Sequence, residues 1–424
     1  MRVKLNPKIS FGIGLGLLVV IVATRWSREA SSDGARVDSS SKIAPGNREV
    51  DGAARGSKRR VEDHLGSKEA AVEIRRLCLA QESIGSVESF QYYYDRCRLV
   101  KLVERLDLAE VEALLADAEL AAAARPKDFG SQAHLVAVLL ERRKARLVPG
   151  EILSADLLET KRADRHYTAF KYPLLLAAAA QGDPDAAIAF WKSDLSGYEP
   201  ENPEVPLPKD FFLGGLIEGL AMGNPAKAWE FIESLDPSVG KSEVVANYFS
   251  ALPAGTDWNA AVNQLETCGP LTKDGELSAA ALGLATAWIK DDPEAAIRWV
   301  GSTNESLLEK RVDGGLEARA MAYSSAMAPW LHVDPLEAID FLDRWKPTDV
   351  PKLQVLRVLM ENTPASIHGH FIELLDTAQE RSELVLAVSP PVNQRAYIER
   401  LLQLTDLSPG VREELKKIQG SITR

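Results

Sequence analysis

The 424-residue sequence predicts an all-α fold: an α-solenoid of stacked helical hairpins, preceded by a single transmembrane helix and a disordered linker. Three observations point there. From about residue 67, apolar residues recur at steps of three and four, as in Leu108, Val111, Leu114 and Leu115. Alternating β-branched runs of the kind a sheet requires are nearly absent. A nine-residue motif returns five times in the second half of the chain.

Residues 1–8 form a short basic N-terminus with Arg2, Lys4 and Lys8. Residues 9–25 read as a transmembrane signal anchor. No charge interrupts residues 9–24, which as a helix would span roughly 24 Å against a hydrocarbon core of roughly 30 Å. Trp26 follows where an interfacial aromatic would sit. A cleaved signal peptide is the competing reading, but Arg25 and Arg28 crowd the small residues near Ala23 and Ala30. Basic residues flank both ends, so the charge count leaves orientation and cleavage open. The short basic start favours a body outside the cytoplasmic membrane. Gly12 and Gly16 have the spacing that lets two spans approach closely. Residues 26–66 read as a disordered tether, rich in serine and glycine, with too little apolar surface to offset the entropy of ordering.

Residues 67–166 are expected to be an N-terminal helical region. Residues 167–345 carry the repeats. Five segments align without gaps, starting at Asp183, Asn224, Asp257, Asp292 and Asp334, at intervals of 41, 33, 35 and 42 residues. Each opens on an N-cap residue, and four continue with proline, which loses no hydrogen bond at the first helical position. Position five is alanine throughout: Ala187, Ala228, Ala261, Ala296 and Ala338. A small residue there fits a close crossing of two backbones. Positions six and nine are apolar in every copy, so positions five, six and nine form the expected buried stripe. Apolar helices precede most copies, one of them carrying Pro329, which should kink or end it. Residues 199–208 hold four prolines and read as a loop. Residues 346–424 are expected to be closing helices, with starts at Thr363-Pro364 and Ser408-Pro409. One hairpin cannot cover its own stripe, so neighbours must stack.

Gly182-Asp183-Pro184-x-x-Ala187-Ile188 and Gly223-Asn224-Pro225-x-x-Ala228-Trp229 resemble the turn and second helix of tetratricopeptide-type (TPR/Sel1-type) repeats. The resemblance covers roughly residues 167–345. The family's first-helix tryptophan and Leu-Gly signature is missing, and the spacing departs from a strict 34. The resemblance implies binding of proteins or peptides along a concave face.

Net charge is −11 overall, made up of +7 over residues 1–60 and −18 over residues 61–424. An acidic body argues against a nucleic-acid groove. The run Arg142, Arg143, Lys144 reads as a solvated helix face. Val239-Gly240-Lys241-Ser242 lacks the earlier glycine of a phosphate loop, having Leu235 there, and follows a helix. His368 and His370 are two apart and would point about 200° from each other on a helix, which rules out a shared metal. His64, His134, His166 and His332 are scattered, and no nucleophile motif is recognisable. Three cysteines exclude a disulfide-dense scaffold. In an oxidising setting Cys78 and Cys97 could bridge adjacent helices with Cys268 left over, a pairing the sequence leaves open. Trp191, Trp229 and Trp299 fall in repeat columns and read as core; Trp258, Trp288, Trp330 and Trp345 read as packing between units, with a sugar- or peptide-stacking platform as the alternative. Of Tyr92, Tyr93 and Tyr94, one should be exposed.

Taken together, the sequence reads as a membrane-anchored extracytoplasmic scaffold that binds a protein or peptide partner, held in the inner membrane through residues 9–25. No catalytic residue, cofactor, metal or nucleic-acid partner is expected. The alternative is an extracytoplasmic, possibly glycan-acting, enzyme on a helical fold using paired carboxylates.

Overall fold

The computed structural model describes residues 65–83, 90–124, 132–161, 164, 167–198, 209–236, 241–269, 272–273, 276–308, 315–388, 393–404 and 407–422. The N-terminal helices are α1 (Ser67–Ser83), α2 (Phe90–Val103), α3 (Leu108–Ala124), α4 (Gln132–Leu147) and the short α5 (Ala155–Thr160). The pairs follow: α6 (Tyr172–Gly182) with α7 (Pro184–Phe190), α8 (Lys209–Gly223) with α9 (Pro225–Ser234), and α10 (Lys241–Ser250) with α11 (Trp258–Cys268). A minimal antiparallel ladder, Thr272–Lys273 against Glu276–Leu277, separates these from α12 (Ala279–Trp288) with α13 (Pro293–Leu308). Last come α14 (Gly315–Val333) with α15 (Pro335–Arg344), α16 (Lys352–Asn362) with α17 (Ala365–Glu373), then α18 (Ala378–Val388), α19 (Gln394–Gln403) and α20 (Pro409–Ile422).

The even-numbered helices from α4 to α20 form one row, each packed on the next even one, and the odd-numbered helices from α7 to α17 lie against that row. Spare side-chain volume explains the tightness of the row. Gly215, Gly219 and Gly223, one turn apart on α8, face Pro173, Ala177 and Gln181 of α6. A Cβ on Gly219 would run into the Ala177 carbonyl and lie 2.8 Å from the Ala180 Cβ. Gly182 meets Arg146 of α4 and Gly283 meets Ala246 of α10 in the same way. The α6–α8 contacts advance together along both helices, so these two run parallel.

Each repeat opens as its chemistry requires. The side chains of Asp183, Asn224, Asp257, Asp292 and Asp334 accept from the backbone N–H three residues on, at 3.0–3.1 Å. The five alanines of position five are all buried. The stripe beside them differs from the expected one. Position nine is buried in every copy (Trp191, Ile232, Leu265, Val300, Leu342), whereas position six is only half-buried at Ile188, Trp229 and Val262. Position six is buried as expected at Ile297 and Ile339, and position eight is buried at Phe190, Phe231 and Phe341. Steps of three and four hold the contact line of a straight helix better than a step of one.

Other expectations are corrected here. No helix among the described residues is long and apolar enough to cross a membrane. The transmembrane signal anchor expected at 9–25 lies outside the described residues, as do 1–8, the tether before residue 65, and the loop at 199–208. Among the described residues the fold is an all-α array of helical pairs with no membrane-spanning helix, and nothing in it supports the expected membrane attachment or the inner-membrane, extracytoplasmic placement. Pro329 does not end its helix: α14 runs on to Val333, held by packing against α12, α13, α15 and α16. Pro409 opens α20 with Ser408 accepting from Val411 N at 3.4 Å. Thr363 precedes α17 without capping it; its hydroxyl donates back to Leu359 O.

Candidate functional site

Among the described residues, α2 departs from the neighbour-to-neighbour order. It packs against α14, α15 and α17, more than two hundred residues further along the chain. Its two faces divide the work. Leu99, Leu102 and Val103 join an apolar cluster with Ala70, Ile74, Val111, Leu139 and Leu140 of α1, α3 and α4. Tyr93 and Cys97 belong to the other cluster, which runs through the whole array.

Tyr93, Cys97 and Lys101 stand at i, i+4 and i+8, so they share one face of α2. That face meets the turn between α14 and α15. The last four carbonyls of a helix have no partner within it. Two of those of α14 are met from α2: the Tyr93 hydroxyl lies 2.9 Å from Leu331 O, and the Cys97 thiol donates to His332 O at 3.1 Å. One turn on, the Lys101 ammonium lies 2.6 Å from Asp334 Oδ2. Asp334 Oδ1 accepts meanwhile from Glu337 N, so the carboxylate that caps α15 also anchors α2.

Tyr93 Oη lies 2.7 Å from His332 Nδ1 as well, with the rings edge to face at 5.9 Å. One proton arrangement satisfies every group: Nδ1–H donates to the phenol oxygen, and the phenol donates to Leu331 O. Burial, with Arg96 adding to it, pushes the His332 imidazole down to about 4. Burial holds the Tyr93 phenol well above its usual range and pushes the Cys97 thiol up to about 12. Near neutral pH the buried centre of the junction is uncharged, and its ion pair lies at the edge, where the Lys101 side chain is 48% exposed.

The residues singled out in the sequence fall elsewhere or play other parts. Cys97 is a free, buried thiol, which corrects the bridge to Cys78; Cys268 is free and exposed. A thiol held that high is a poor nucleophile at neutral pH. His368 is a packing histidine, with Nδ1 2.8 Å from the Tyr397 hydroxyl and Nε2 3.0 Å from Thr363 O. His64, His134 and His166 lie outside the described residues or side chains. Lys241 opens α10 and follows helix α9. The basic run laces α4 to its surroundings: Arg143 donates to Leu106 O at 2.9 Å, and Lys144 pairs with Glu112 and Glu151. Tyr93 is buried, Tyr94 lies half-buried beneath the Arg98 guanidinium, and the Tyr92 side chain lies outside those described.

The tryptophans pack between helices. Trp258 stacks on Trp288 at 5.9 Å and donates to Asp291 Oδ2 at 2.8 Å; Trp229 packs on Tyr248, and Trp345 on Tyr323. No group of three or more His, Cys, Asp or Glu among the described residues could hold a metal. A shallow dip between α18 and α20, with no room for a water molecule, is lined by Val385, Val411, Leu415 and the Arg381–Glu414 pair. The described tryptophans named above are taken up in packing, and the described residues offer no metal cluster or stacking platform that supports the glycan-acting enzyme reading.

The class these features define is an all-α array of paired helices whose N-terminal unit is docked at the α14–α15 turn. The chain matches no family model, no curated protein and no solved structure. The tetratricopeptide-type resemblance thus stands corrected to a likeness of packing.

Proposed function

We infer that the protein is a helical-repeat scaffold that recognises a segment of another protein and catalyses no reaction of its own. One observation carries this reading: the array already accepts a helix foreign to its repeat, α2, on the α14–α15 turn. Stacked hairpins supply a rigid, extended surface whose residues can be read by a partner without any pocket closing. The buried Cys97 and His332, held neutral, lack the pKa values of working nucleophiles or bases near pH 7.

The test is capture of partners by the tagged full chain in its native cells with a photo-crosslinker, followed by calorimetry with the purified pair. The reading expects a defined protein that binds again in isolation. Failure to enrich any protein over the tag alone would overturn it.

A further inference from the structure

The α14–α15 turn presents an unusual set of acceptors in one line. Leu331 O and His332 O are end-of-helix carbonyls at the negative end of the α14 dipole, and Asp334 adds a carboxylate one turn away. Three acceptors in a row call for three donors, the last of them positively charged. A helix can supply them at i, i+4 and i+8, a spacing that keeps three side chains along one face. Tyr93, Cys97 and Lys101 meet the requirement inside this chain.

The hold combines this polar line with the buried Tyr93 ring and Cys97, and no large aliphatic side chain of the N-terminal cluster adds to it. The large aliphatic residues of α2, Leu99, Leu102 and Val103, are committed to the N-terminal cluster, not to the array. The ion pair at the edge is half open to water on its lysine side, where such pairs are weak and screened by salt. Charge at the turn favours a basic side chain there: Asp334 presents its carboxylate to Lys101, whereas Arg98 of α2 pairs with Asp95 and with Glu73 of α1.

We propose that the α14–α15 turn is a helix-receiving site and that α2 is its built-in occupant. The external partner it fits is a basic amphipathic helix presenting a tyrosine, a small donor side chain and a lysine at i, i+4 and i+8. Such a helix binds by displacing α2. This rests on the scaffold reading given above and names the partner chemistry of that surface.

Cys97 reports the displacement directly, because its thiol is covered only while α2 is docked. The experiment uses the full chain, with alkylation of each cysteine followed by peptide mass spectrometry. The second readout is fluorescence anisotropy of a labelled peptide of residues 90–103 carrying Cys97→Ser. In the Lys101→Glu chain, Cys97 is expected to alkylate at least tenfold faster than in the native chain at unchanged helix content, with Cys268 unaffected. The peptide is expected to bind that variant at least tenfold more tightly than it binds the native chain. A peptide that also carries Tyr93→Phe and Lys101→Glu should bind neither. If Cys97 stays protected until the whole chain unfolds, or the peptide binds both chains alike or neither, the proposal is overturned. Should Lys101→Glu misfold, Tyr93→Phe replaces it with the same two readouts. No cellular partner is needed for these outcomes, so failure here leaves the capture experiment to judge the scaffold reading separately.

Discussion

Tyr93 and His332 stand 239 residues apart in the chain and 2.7 Å apart in the fold. The contact ties the N-terminal helices to the far part of the array, and it places a neutral imidazole where a charged one would have no compensating anion within the pair.

That arrangement sets a pH dependence. The His332 pKa is about 4 in the folded chain against 6.5 for the ordinary side chain, so the folded state disfavours the protonated form. Stability from this group is complete above pH 6.5 and is lost as pH falls from there toward 4. The gap is worth roughly 3 kcal/mol in full. Carboxylates titrate lower, so the window from pH 6.5 to 5 reads histidines, and the comparison with His332→Gln separates this one from the other five. Denaturant midpoints across that window should fall with pH distinctly more steeply in the native chain than in His332→Gln.

The glycine row of α8 makes a paired test. Gly219→Ala should cost about 2–4 kcal/mol, because the new Cβ collides with α6 backbone, and this outweighs the gain of about 1 kcal/mol in helix propensity. Gly410→Ala, in α20 with nothing within 4 Å of the added carbon, should be neutral or stabilising by up to about 1 kcal/mol. Urea unfolding of both variants reads the difference.

Asp334 has two tasks that substitution can separate. Asp334→Asn keeps a capping oxygen but loses the charge facing Lys101, and should cost no more than about 1 kcal/mol. Asp334→Ala loses both, and should cost about 1–2 kcal/mol more than Asp334→Asn. Asp183→Ala, which removes the cap contact to Ala186 N, should fall near 1 kcal/mol by the same thermal melts.

The alanine column is the repeat's tightest constraint. Ala228→Leu, at a position with no exposed surface, should destabilise by about 1–3 kcal/mol or more through overpacking. The same change at exposed Ala189, two positions beyond the column in the first repeat, should be within about 0.5 kcal/mol. Scanning calorimetry of the two variants compares them.

Much of the repeat was legible before any coordinates, because caps and small residues act locally. Asp183 and its four counterparts announce their helices by chemistry that operates over three residues, and Ala187 and its counterparts by a size limit repeated in every copy. Position six held at Ile297 and Ile339 but not at Ile188, Trp229 and Val262, which are apolar yet lie on the flank of their helices. The α2 junction was invisible: Tyr93 and His332 carry no local periodicity that links them, and their pairing across 239 residues is made only in the tertiary packing. The Gly215, Gly219, Gly223 spacing was a usable signal. It is the same small-residue pattern that Gly12 and Gly16 show in the N-terminal segment, and it marks a close helix crossing wherever it falls in a packed row.

The central claim is that the array carries its own N-terminal unit on the α14–α15 turn. A zero-length carbodiimide joins only a carboxylate and an amine already in contact, and Lys101 Nζ lies 2.6 Å from Asp334 Oδ2. Treating the native monomer and mapping its peptides should recover an amide between Lys101 and Asp334 as a major intramolecular product. Finding Lys101 joined only to carboxylates of residues 65–147, with no link to Asp334, would contradict the account.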